Sequence, residues 1–86
     1  MGEWTQFWVT GGNSTREFMK RVDDHIQQYG GLVNTPPHGD GLPMPDADGK
    51  YEVRVLFGDP GFVKFVLQQH YGLTIAREQV NSDQEG

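Results

Sequence analysis

Residues 51–57 read Tyr51-Glu52-Val53-Arg54-Val55-Leu56-Phe57, with Tyr51, Val53, Val55 and Phe57 on one side and Glu52, Arg54 and Leu56 on the other. Successive side chains of a strand point to opposite faces, so a period of two with one apolar side predicts a half-buried β-strand. Upstream, Trp4-Thr5-Gln6-Phe7-Trp8-Val9-Thr10 is rich in aromatic and β-branched residues and stops at Gly11-Gly12. It predicts a second strand, with Thr5, Phe7 and Val9 on one face and Trp4, Gln6 and Trp8 on the other.

The segments around these two strands supply helices. Ser14 and Glu17 have the S-x-x-E spacing of a capping box, in which each side chain satisfies the other's free backbone donor. Phe18, Val22, Ile26 and Tyr29, with Met19 beside them, then recur at helical spacing up to Gly30-Gly31. Leu32–Thr35 predicts a short strand halted by Pro36-Pro37. Residues 36–49 hold four of the five prolines without periodicity, a loop long enough to be expected functional, disordered or both. Gly58-Asp59-Pro60 offers an N-cap carboxylate and a proline at the first helical position. Phe62, Val63, Val66, Leu67 and His70 follow on one stripe, closed by Tyr71 and Gly72. Residues 73–78 predict a last short strand, and 81–86 a disordered polar tail.

The order strand, helix, strand, strand, helix, strand predicts an α+β chain of the ferredoxin-like βαββαβ pattern: a four-stranded antiparallel sheet with two helices on one face. At 86 residues the chain buries roughly 60 to 65% of its unfolded surface, which suits one domain, placed at residues 1–80. Sending the more apolar parity inward puts Phe7, Val9, Val53, Val55 and Phe57 in the core, joined by Phe18 and Phe62. The open sheet face then carries Trp4, Gln6, Trp8, Glu52, Arg54 and Leu56. Because Trp and Arg are over-represented where binding energy concentrates, these six residues are the expected contact surface for another protein or for a second copy of the chain.

Composition narrows the function classes. Twelve Asp and Glu against seven Lys and Arg give a net charge of −5, which disfavours phosphate backbones and anionic lipid as partners. RNA-recognition modules also stack bases on an open sheet face, but they use aromatics on the third strand, where this chain offers Glu52, Arg54 and Leu56. Zero cysteines exclude a disulfide framework, a thiolate nucleophile and cysteine-ligated metal. No signal-peptide pattern and no apolar run of about 20 residues is visible, so a cytoplasmic protein is expected. Gln6 stands where an N-myristoylation motif wants Ser or Thr.

Three further features bear on chemistry. Gly11, Gly12, Asn13 and Ser14 link a strand to a helix N-terminus and form the alternative site, a cradle for the anionic group of a small ligand. In element order the chain resembles regulatory domains of the ACT type, which place an effector near the loop after their first strand; their Asp-x-x-Gly-Leu-type signature is missing. That resemblance implies a sensor of an amino acid, nucleotide or other anion. His38, Asp40, Asp46 and Asp48 crowd the long loop, but aligning Gly49 with the EF-hand glycine puts Met44 and Val55 where the strongest calcium ligands belong. His25 and His70 fall one on each helix, without a nucleophile to serve. The expectation is therefore a non-enzymatic interaction module, regulatory or inhibitory, with no catalytic residue, cofactor or metal.

Overall fold

The computed structural model describes residues 2–11 and 14–82. Its elements are β1 (Glu3–Thr10), α1 (Arg16–Ile26), β2 (Gly31–Val33), β3 (Tyr51–Val55), α2 (Pro60–Phe65) and β4 (Thr74–Ser82). A 3₁₀ turn, Gln27–Tyr29, extends α1, and a π-helical turn, Val66–His70, extends α2. The sheet is antiparallel throughout, in the order β2-β3-β1-β4.

In β1 and β3 the alternation of the sequence is the alternation of burial. Thr5, Phe7 and Val9 are buried, as are Tyr51, Val53 and Val55, while Trp4, Gln6, Trp8, Glu52 and Arg54 are half-buried on the opposite face. Against the buried set pack Met19, Val22 and Ile26 from α1, and Val63, Val66 and Leu67 from α2 and its extension. These strands and helices share one apolar cluster.

Local chemistry starts and stops each helix. Thr15, not Ser14, is the N-cap of α1: its hydroxyl accepts from the Phe18 N–H at 3.1 Å. Ser14 instead turns back, its hydroxyl donating to the Gly11 carbonyl at 2.8 Å, so the expected Ser14–Glu17 box is replaced by a single cap one residue later, with Phe18 where a box needs Glu or Gln. At α2 the expected signal operates. Asp59 accepts from the Gly61 and Phe62 N–H groups, and Pro60 occupies the first turn.

Phe57 overturns part of the expected core, being 75% exposed. The strand ends at Val55: the Leu56 N–H still meets the Gly30 carbonyl in register with β2, but the Phe57 N–H shares that same carbonyl, and the alternation stops there. Phe62 is exposed too, and Phe18 only packs against the cluster from its margin. Their places are taken by Met19, Leu67 and Leu73, and by Pro43 from the long loop. Arg16 fastens that loop: its Nε donates to the Pro43 carbonyl at 2.8 Å and its Nη2 to Asp40 at 2.5 Å. The Arg16 guanidinium, with help from the Leu42 N–H, holds the Asp40 carboxyl below the usual carboxylate range. β4 is longer than expected and runs through Asn81 and Ser82, which pair with Trp4 and Glu3. The rest of the expected tail, residues 83–86, lies outside the described residues.

Asp23 is a buried carboxylate, 5% exposed, and a structural tie rather than a surface charge. Oδ1 accepts from the Val33 N–H and Oδ2 from the Gln27 amide, each at 2.8 Å, which joins α1 to β2. Removing it strands a buried donor. Asp23→Ala should cost about 1–3 kcal/mol in denaturant unfolding, and Asp23→Asn, which keeps an oxygen for Val33, distinctly less.

Candidate functional site

Because residues 77–82 of β4 pair in register with β1, three side chains from outside the expected set join the open face. Arg77 stands beside Trp8, Gln79 beside Gln6 and Asn81 beside Trp4. On the other flank Glu52 lies beside Trp8 and Arg54 beside Gln6. Five of the six expected residues are thus brought together on one surface. Leu56 sits past the end of β3, in a groove with Leu32 and Phe57.

The polar side chains of this face form one hydrogen-bonded chain across three strands. Arg77 Nη2 donates to Gln79 at 2.9 Å, Gln79 donates to Asn81 at 2.8 Å, and Asn81 donates to Gln6 at 3.2 Å. Gln6 in turn donates to Glu52, whose same oxygen accepts from Arg54 Nε at 2.8 Å. The chain ends on a guanidinium at each side, and each guanidinium lies over an indole. Arg77 is 4.5 Å from the Trp8 ring centroid and Arg54 is 5.8 Å from that of Trp4. Such cation–π stacking is electrostatic and orients both partners. At the Trp8 end the face becomes concave: Trp8, Asp46, Asp48, Lys50, Ala76 and Arg77 line a cleft of about 300 Å³. Asp46 is occupied there by its own turn, accepting from the N–H groups of Asp48 and Lys50.

The alternative cradle is described only in part. Gly12 and Asn13 lie outside the described residues, while Gly11 and Ser14 bond to each other through both the Ser14 N–H and its hydroxyl. Asp40 and Asp46 are held by loop contacts, and His38 is exposed. Among the described residues no group of three or more His, Asp or Glu side chains converges as metal ligands would. His25 and His70 do meet, with ring centroids 5.2 Å apart and edge to face. His25 Nδ1 is hydrogen-bonded to the Tyr71 hydroxyl at 2.6 Å, and burial pushes that hydroxyl's pKa up.

A second surface lies outside the residues expected from sequence. Phe57, Phe62 and Phe65 are all exposed, Phe62 packs edge to face on Tyr29 at 4.7 Å, and Phe65 stacks beside Phe62. Phe57 and Phe62, with Tyr29, Gly30, Gly58 and Asp59, border an open, largely apolar pocket of about 410 Å³. Helical spacing counts Phe62 into the core stripe. The orientation of α2 buries Val63, Val66 and Leu67 instead and turns Phe62 and Phe65 outward.

Comparison of the chain with protein-family models, with curated proteins and with solved structures returns no significant match. Among the described residues, no helix is long and apolar enough to cross a membrane.

Proposed function

We propose that this chain is a ferredoxin-like, non-enzymatic interaction module, regulatory or inhibitory in role, that docks a protein partner on the open sheet face. The order β2-β3-β1-β4, with each helix connecting two strands that flank a third, supports the fold part of this reading. The observation that carries the functional part is the pair of Trp–Arg stacks, Trp8 with Arg77 and Trp4 with Arg54, joined by a continuous hydrogen-bond chain.

Tryptophan and arginine dominate binding energy where they are buried by a partner. Their value rises when they are already ordered, because less side-chain entropy is lost on association. Within the network two guanidiniums face one carboxylate, while Asp46 and Asp48 stand with Lys50 and Arg77 around the cleft, so charges of both signs line this face. It suits a partner that presents apolar surface toward the indoles and polar groups toward the mixed charges at the Trp8 end.

Cross-linking in cells followed by titration with the purified partner tests the reading. Trp8→Ala should weaken binding by about 2 kcal/mol or more, roughly 30-fold, and Arg77→Ala somewhat less. A partner that binds the Trp4→Ala/Trp8→Ala double variant as tightly as the wild type overturns it.

A further inference from the structure

The two edges of the sheet are built differently. β2 is three residues long and runs into Pro36-Pro37, so it offers little for another strand to pair with. β4 is nine residues long, bonds to β1 along one side, and has no pairing strand along the other among the described residues. It carries no proline and no lysine, the residues that commonly blunt an edge. Its one irregularity, the register shift opposite Trp8 and Val9, leaves Arg77–Ser82 a run in regular register. A free edge of this kind presents a row of backbone donors and acceptors to any incoming strand.

We infer that the β4 edge pairs with the β4 edge of a second copy, antiparallel and about a two-fold axis at Gln79, joining two sheets into one of eight strands. An antiparallel pair of identical strands is self-complementary in its backbone, so side chains decide the register. With the axis perpendicular to the sheet, residues that meet across the seam lie on the same face. An axis at Arg77 would oppose two guanidiniums and one at Glu78 two carboxylates, both unfavourable. At Gln79 the amide meets its own copy, Arg77 meets Asn81, and Glu78 meets Val80. No like charges then face each other. Val80, 58% exposed on the helix-bearing side, is covered, and Glu78 keeps its own Lys64 at 3.0 Å. An axis at Val80 also avoids like charges but pairs only residues 78–82 of the described strand, against 76–82 for an axis at Gln79.

The seam shares Arg77, Gln79 and Asn81 with the open face, but it rests on the free backbone of β4 and not on the indoles, so variants of Trp4 and Trp8 separate the two proposals. Sedimentation of the full chain from micromolar to millimolar concentration should show a monomer–dimer equilibrium. Higher salt should shift it toward dimer, because it screens the repulsion between two acidic chains and no ion pair crosses the seam. Gln79→Glu and Gln79→Lys should each be monomeric, with melting curves showing them folded, while an equimolar mixture of the two should dimerise again. The chain has no cysteine, so Gln79→Cys alone should form a disulfide-linked dimer under mild oxidation. A wild type that stays monomeric throughout overturns the inference. So does a dimer that survives both charge variants, and loss of that dimer in Trp4→Ala/Trp8→Ala would assign it to the open face.

Discussion

Phe7→Ala should destabilise the chain by about 3–5 kcal/mol, whereas Phe57→Ser should change its stability by no more than about 0.5 kcal/mol. Both phenylalanines lie on the inward parity of their strands, so sequence alone treats them alike. Phe7 is fully buried at the centre of β1, between β3 and β4 in the sheet, in the cluster that both helices share. Truncating it removes transfer energy and leaves a void that its neighbours fill only in part. Phe57 is 75% exposed beyond the end of its strand, so little burial is lost with it. A domain of this size has a total stability on the order of 5–10 kcal/mol, so the first variant should lower the melting midpoint by more than about 12 °C. Phe7→Leu, which keeps most of the volume, should retain a cooperative transition at a cost of about 1–1.5 kcal/mol. Equal losses in Phe7→Ala and Phe57→Ser would contradict the placement of the core.

That contrast marks how far the sequence could be read. Alternation places β1 and β3 and their buried parity, because it is a local pattern confined to the paired residues. It cannot say where the strand ends, which here depends on the Gly30 carbonyl, some 25 residues away in sequence, accepting from Phe57 as well as Leu56. Asp59-Pro60 marks the start of α2 because cap and proline act on adjacent backbone groups. At α1, by contrast, Ser14 and Thr15 both qualify as caps and only the path of the turn selects Thr15. The candidate site follows the same division. Trp4, Gln6, Trp8, Glu52 and Arg54 share a face by parity alone. Arg77, Gln79 and Asn81 enter it through the register of β4 on β1, a long-range pairing that no local spacing encodes, and they complete both the hydrogen-bond chain and the closer indole stack. Asp23 escapes notice for a related reason: its partner, the Val33 N–H, lies on another element.

The turns that hold these elements together lead to the other large effect. Gly30, at φ 87°, ends the 3₁₀ extension of α1, and Gly58, at φ 80°, lies between β3 and α2. The two interlock. A Cβ on Gly30 would lie 2.1 Å from the Phe57 carbonyl oxygen, and one on Gly58 would lie 2.4 Å from the Tyr29 carbonyl oxygen. Each glycine therefore leaves room for the carbonyl that precedes the other, and the obstacle in both cases is backbone, which cannot swing aside as a side chain does. An L-residue at positive φ costs about 1 kcal/mol or more by itself, and the overlap forces the two turns apart besides. Separation would break the bonds from Leu56 and Phe57 to the Gly30 carbonyl and release the end of β3. Gly30→Ala and Gly58→Ala should each cost about 3 kcal/mol or more in denaturant unfolding, against about 1 kcal/mol for Gly72→Ala, where φ is 67° but no atom lies within 4 Å of the added carbon. Once one alanine has pushed the turns apart, the second meets a contact already lost. The Gly30→Ala/Gly58→Ala double variant should therefore fall short of the sum of the single losses by about 1 kcal/mol or more, the signature of coupled sites. Strict additivity would mean that the turns yield independently and that the close approach does not bear on stability.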